Sequence, residues 1–270
     1  MPYNFSKAKL EKFSLFSISS KKFGYGHYNR IQNLILILKN KKNKIKHYSY
    51  GEQFKNKNDF INKINSKINS DNKVILDITN KFFLDSSSLE KIKKILIKKR
   101  TNKIYIIDEP TKNNLSIFLN LKNIKTFIPF EVNSLIKKKL SKIKKKAIGF
   151  QYFIYPSQKI KKKNKIYDIT LSFGGSDNYG GTYRVLKLLK KLNLNKNIII
   201  IKGKYFKKDY SKKIILYCKK NNFKVKTFSK NFNDVLNKTT LLITNSGLTK
   251  YEGIAHGLPV IVFSDNKESQ

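Results

Sequence analysis

The sequence predicts an α/β protein built from two doubly wound parallel-sheet domains in series. Three observations carry this. Short apolar runs of buried-strand character alternate with segments of helical period along the chain. The alternation restarts after a lysine-rich stretch in the middle, and each half has the length of a small domain. Glycines stand where strands give way to helices, at Gly24 and Gly26, at Gly174 and Gly175, and at Gly247.

In order, residues 14–20 (SLFSISS) read as a first strand. Ile31, Leu34, Ile35 and Leu38 then recur at i, i+3, i+4 and i+7, an amphipathic helix. Residues 46–50 make a second strand, and Phe60, Ile64 and Ile68 a short helix. VILDI at 74–78 has the composition of a buried strand, and Leu89, Ile92 and Leu96 mark the helix after it. IYIID at 104–108 is a strand stopped by Pro110, and 126–130 is one more. Lysine clusters at 137–139, 144–146 and 161–163 flank the apolar stretch 148–155, and are read as solvated faces. The domain reading is therefore 1–145, a basic crossover at 146–165, and 166–270. In the second half, strands are expected at 166–173, 198–201, 225–228, 241–244 and 260–263. Helices are expected around Val185 to Leu192, Ile214 to Cys218 and Thr249 to His256. Near-continuous apolar strands, each followed by a helix, imply parallel sheets covered on both faces. Ligands are then expected beyond the carboxyl ends of the strands.

The net charge of +41 suggests a polyanionic partner, but its make-up argues against one. Of the 58 basic residues only Arg30, Arg100 and Arg184 are arginines. Readers of bases and phosphates rely on the arginine fork, whereas a Lys/Asn/Ile excess is what A+T-rich coding imposes. No nucleic-acid partner is expected. A peripheral contact of the lysines with anionic lipid stays open. Cys218 is the only cysteine, so no internal disulfide forms and a cytoplasmic location is expected. The first eleven residues are polar and lack the apolar core of a signal peptide. The run 31–38 is too short for a transmembrane segment. No cysteine/histidine spacing points to a metal, and no cofactor is expected.

Three places carry chemistry. In Gly24-Tyr25-Gly26-His27-Tyr28-Asn29-Arg30, the glycines let the backbone turn and come close to a ligand. His27 falls in the first helical turn, where the positive end of the dipole disfavours an imidazolium. A neutral imidazole is what a general base needs, although a histidine there also serves as a turn cap. In Phe173-Gly174-Gly175-Ser176-Asp177, backbone amides can meet phosphate, while Asp177 has the alternative of capping the next helix. In Thr244-Asn245-Ser246-Gly247-Leu248-Thr249-Lys250-Tyr251-Glu252, Gly247 opens a helix toward an anion. Thr249 and Glu252 have capping-box spacing; alternatively, Glu252 accepts the two hydroxyls of a ribose.

The sequence of elements GYGHYNR, VILD, IYIID, LSFGGSD, NSGLTKYEGIAHGLPVIVF and DNKES resembles the PseG/SpsG-type UDP-sugar hydrolases of the pseudaminic acid pathway, whose products go to surface polysaccharide. The second half is similar to MurG-type glycosyltransferases. The resemblance implies a GT-B fold, two Rossmann-like domains facing across a cleft. It implies that His27 activates water against the anomeric carbon of a UDP-2,4-diacetamido-2,4,6-trideoxyhexose. Gly24, Gly26 and Arg30 then line the sugar side. Gly174, Gly175 and Ser176, with Ser246, Gly247, Leu248 and Thr249, hold the diphosphate. Glu252 binds the ribose, Asn266 lies near the sugar, and the backbone of 228–232 holds the uracil. Amide dipoles neutralise the leaving diphosphate, so no metal is implied.

Three departures accompany the resemblance. No tyrosine stands between Asp77 and Asp85, where the family carries one. Leu248 replaces a polar residue. The chain stops at Gln270, where the last helix of the fold is expected to begin. Beside hydrolysis stand two other readings: a GT-B glycosyltransferase with a UDP-sugar donor, and an inactive basic accessory protein.

Overall fold

The structure is a computed structural model. It describes residues 11–19, 26–39, 43–68, 72–78, 84–98, 103–107, 118, 121, 124–132, 134–141, 146–155, 164–194, 196–228 and 232–263. The chain divides into two compact units, Met1–Ser20 with His27–Pro156 and Lys21–Gly26 with Ser157–Gln270.

The first unit carries β1 (Lys12–Ile18), α1 (Gly26–Lys39), β2 (Lys44–Tyr50), α2 (Lys57–Ile68), β3 (Lys73–Asp77), α3 (Ser86–Lys98), β4 (Ile104–Ile107), β5 (Ile124–Ile128), α4 (Ser134–Leu140) and β6 (Lys146–Ile148). Its six strands lie in the order β2-β1-β3-β4-β5-β6, and every pairing is parallel. β1 is central, and six of its seven residues are buried, which is why its serines pack beside Phe16 and Leu15 rather than facing water. On one face Phe13, Leu15, Ile31, Ile75 and Ile107 form a cluster under α1.

The second unit carries β7 (Tyr167–Ser172), α5 (Gly181–Lys191), β8 (Ile198–Lys202), α6 (Lys208–Lys220), β9 (Lys224–Thr227), α7 (Phe232–Asn237), β10 (Thr239–Thr244), α8 (Thr249–Ala255) and β11 (Val260–Val262). The order is β11-β10-β7-β8-β9, again parallel throughout. Ile198–Ile201 are all buried because β8 has neighbours on both sides and helices on both faces. The edge strand β9 reads KVKT, and its two exposed lysines disfavour pairing with another chain.

Three short elements were not visible in the sequence. In α4, Ile136 and Leu140 are buried one turn apart while Lys137, Lys138 and Lys139 stay exposed, so the charge run is a solvated helix face. Within the stretch read as a crossover, β6 adds a strand to the first sheet beside β5. α7 buries Phe232 and Leu236 by the same i, i+4 spacing.

The contact between α8 and the second sheet is set by one glycine. A Cβ on Gly253 would lie 2.5 Å from Leu242 Cδ2 and 2.9 Å from Val260 Cγ2. Gly253→Ala therefore overpacks this contact and is expected to cost about 1–3 kcal/mol. Urea unfolding checks it: an unchanged midpoint would show that α8 moves away freely.

Candidate functional site

Each unit has a switch point where its strand order reverses. In the first, the chain leaves β1 outward to β2 and returns on the other side to β3. The carboxyl ends of β1 and β3 therefore flank a crevice. The register pairs Ser17 with Asp77, so Asp77 ends β3 at this crevice, just across from the end of β1. α1 starts at Gly26 and brings His27 and Arg30 to the same place on successive turns.

There the three side chains meet. His27 Nδ1 lies 2.6 Å from Asp77 Oδ1. Arg30 donates from Nε to Oδ2 and from a terminal nitrogen to Oδ1, both at 2.7 Å. Asp77 is fully buried, and His27 and Arg30 are 6% and 3% exposed. An ionised carboxylate only accepts, so Nδ1 carries the proton, and whenever the ring is neutral its lone pair is on Nε2. The 3.0 Å approach of the Arg30 terminal nitrogen to Nδ1 then joins two donors that converge on one oxygen. Burial pushes the Asp77 carboxyl up, but the charges and hydrogen bonds of Arg30 and His27 outweigh it and hold the group below the usual carboxylate range. Phe130 supports the arrangement from below, its ring centre 5.0 Å from the Arg30 guanidinium carbon.

Beside this cluster, His47 on β2 lies 2.8 Å from Ser17 Oγ through Nε2 and 3.0 Å from the Gln32 amide through Nδ1. Burial lowers its pKa to about 4, so it is a neutral packing histidine between β1 and α1.

In the second unit the chain runs β7, β8, β9 in one direction and returns to β10 on the other side of β7. The loops after β7 and β10 are tied together at this switch point. Thr244 Oγ1 donates to the Ser172 carbonyl at 2.6 Å, and the Asn245 amide donates to the Phe173 carbonyl at 3.4 Å. Gly174 turns the first loop with φ +74°, a conformation that favours glycine. Gly203, just past β8, packs so close that a Cβ would stand 2.3 Å from the carbonyl oxygens of both Gly174 and Gly175. The Tyr205 N–H completes the brace, donating to the Gly175 carbonyl at 2.9 Å.

The structure decides two capping questions raised by the sequence. Asp177 is a cap: its carboxylate accepts from the Gly181 and Thr182 amides at 2.8 and 2.9 Å, and from the Tyr210 hydroxyl at 2.7 Å. The first amides of α5 are therefore already occupied. The capping box of Thr249 and Glu252 does not form, because Leu248 is already helical and stands at the cap position without a side-chain bond. The Glu252 side chain makes no hydrogen bond among the described residues. The residue is half-buried, and that burial pushes its carboxyl pKa up to about 7. Ser246 and Gly247 lie in the turn before α8, where Gly247 donates to the Asn245 side chain at 3.1 Å. Phe228 and Phe232, at the ends of the stretch expected to hold uracil, line a cavity of about 280 Å³ with Tyr167, Ile201 and Val235.

The sequence pointed to His27 and Arg30 but not to their common partner Asp77, 50 residues beyond His27. The parallel register of β1 and β3 supplies that juxtaposition, and local spacing cannot. Gly203 was likewise missed, because nothing in its neighbourhood marks it as the wall of another loop. Gly24 and Asn266 lie outside the described residues. Among the described residues no group of three or more His, Cys, Asp or Glu is placed to hold a metal ion. No described helix is long and apolar enough to cross a membrane.

No family model matches the chain. An uncharacterized protein of Methanocaldococcus jannaschii is 29% identical over 108 residues, which is 39% of this chain and 22% of that protein. Among solved structures, a glycosyltransferase of Rickettsia africae superposes with a TM-score of 0.55 at 13% identity, over 94% of this chain and 79% of that one. The UDP-GlcNAc 2-epimerase of Methanocaldococcus jannaschii gives 0.52 at 13% identity, over 96% and 90%. MurG of Acinetobacter baumannii gives 0.51 at 13% identity, over 94% and 78%. At these identities the likeness concerns the fold: two parallel-sheet α/β units of the GT-B class.

Proposed function

We infer that the chain acts on UDP-sugars, and that its reaction is hydrolysis of a UDP-2,4-diacetamido-2,4,6-trideoxyhexose as in the PseG/SpsG-type enzymes it resembles. One observation carries the reading: a buried carboxylate, pinned by an arginine, fixes the tautomer of a histidine at the switch point of the first unit. A general base needs that arrangement, and a turn-capping histidine does not.

In this reading His27 Nε2 takes a proton from water as the water oxygen bonds to the anomeric carbon. The bond from that carbon to the phosphate oxygen breaks, UDP leaves with the electron pair, and the free sugar carries the opposite configuration. Gly26 and Arg30 belong to the sugar side. Gly174, Gly175, Ser176, Ser246, Gly247, Leu248 and Thr249 form the diphosphate side, and Glu252 takes the ribose hydroxyls. A UDP-sugar glycosyltransferase is the second reading, favoured by the glycosyltransferase among the structures of like fold. There an acceptor hydroxyl replaces water at the same carbon.

Incubation with the sugar nucleotide and no acceptor tests the two. Hydrolysis gives free sugar and UDP in equal amounts, at a rate abolished by His27→Asn while UDP binding persists. Turnover that appears only when an acceptor alcohol is added would assign the transferase. Release of UDP by His27→Asn at the parent rate would remove His27 as the base under either reading.

A further inference from the structure

The loops after β7 and β10 offer a diphosphate mostly backbone amides. The amides that begin α5 are not among them, because the Asp177 carboxylate occupies those of Gly181 and Thr182. That capping carboxylate also adds negative charge close to where a polyanion would bind. An anionic ligand at this switch point therefore needs a cation.

Arginine is scarce in this chain, and its two described examples both make specific side-chain contacts. Arg30 spans both oxygens of Asp77. Arg184, on the first turn of α5, lays its guanidinium carbon 5.4 Å from the ring centre of Phe263. Phe263 lies just past β11, where its N–H donates to the Thr244 carbonyl at 2.7 Å. Its ring also meets that of Phe173, the residue before Gly174, at 6.2 Å. The guanidinium is thus placed over a ring that lies at the carboxyl ends of β7, β10 and β11, the ends from which both glycine loops start. A planar, weakly hydrated guanidinium holds a stacked position and still presents N–H donors at its edge, whereas an ammonium does not.

We propose that Arg184, stacked on Phe263, is the side chain that binds the phosphate groups of the ligand at the second unit's switch point. It thereby makes the site selective for a diphosphate over a nucleoside. The inference deepens the UDP-sugar reading and rests on it for the identity of the nucleoside. Edge N–H groups of the guanidinium donate to phosphate oxygens, offsetting charge that the capped α5 cannot.

Calorimetry with UDP, uridine and inorganic pyrophosphate tests it on the full chain. Variants are Arg184→Gln, Arg184→Lys, and Lys220→Gln as a control for general charge, Lys220 being exposed on α6. Arg184→Gln is expected to weaken UDP and pyrophosphate roughly tenfold or more and to leave uridine unchanged. Arg184→Lys recovers only part of this, and Lys220→Gln loses little. Parent-like UDP binding by Arg184→Gln overturns the inference and leaves the UDP reading standing. So does an equal loss in Lys220→Gln, which would assign the effect to the overall field. Should the wild-type chain bind pyrophosphate through Arg184 but not UDP, the anion site stands and the nucleotide reading falls. If it binds neither, both fall.

Discussion

Asp77→Asn is expected to lower turnover by roughly 10³–10⁴-fold, the scale seen when an orienting carboxylate is lost from a histidine base. The amide group can present its NH₂ to Nδ1, which moves the ring proton to Nε2 and leaves no lone pair toward water. The second consequence is for stability. Arg30 is almost fully buried and loses its counter-charge, a change that costs about 3–5 kcal/mol. The sign with pH follows from the depressed Asp77 pKa. Its contribution is present above the ordinary carboxylate range and lost as pH falls through the folded value. Urea midpoints of wild type and variant should therefore converge in acid. His27→Asn keeps the Arg30–Asp77 pair, and so separates loss of the base from loss of the fold. A variant at position 77 that turns over at the parent rate would sink the orienting role.

Glu252→Gln should split binding from stability in opposite directions. Burial raises the carboxyl from the usual range to about 7, so the folded chain holds a proton that the unfolded chain releases. The stabilising effect of that proton is full below about pH 4.5 and is lost as pH rises to about 7. At pH 8 the half-buried carboxylate is charged, and replacing it with an amide should stabilise the free protein by about 1–2 kcal/mol, the shift being discounted for its contact with solvent. If Glu252 takes ribose hydroxyls, only the ionised form accepts both. UDP affinity of the wild type should then climb as pH rises through 7, while the variant binds roughly 10–100-fold more weakly above that pH and comes level with the wild type in acid. Thermal melts from pH 5 to 8, with and without UDP, read both effects. A UDP shift that is flat across this range would assign Glu252 to structure alone.

Most of the architecture was legible because parallel strands buried on both faces must be apolar along their length. VILD, IYII and IIII announce themselves in this way. α4 and α7 were hidden because among the described side chains each buries a single apolar i, i+4 pair, and in α4 three lysines dominate the composition. β6 has three residues and no run to recognise. In the site, His27 and Arg30 were visible as a local motif, whereas Asp77 joins them through sheet register. The capping box failed for a local reason: the cap position falls one residue before the spacing suggests, at Leu248. Spacing identifies residues that share an element, and a site assembled from several elements also depends on how the strands align.

The absence of a side chain at position 203 has an effect beyond its own loop. The carbonyls of Gly174 and Gly175 rest against bare Cα hydrogens there, so even a methyl group would displace the turn by an ångström or more. In a saturation library screened for activity, this column should be nearly empty, and second-site suppressors should fall in the 174–176 segment rather than next to 203. A residue that meets no ligand would then be among the least replaceable in the chain, with backbone as its only neighbour to explain why.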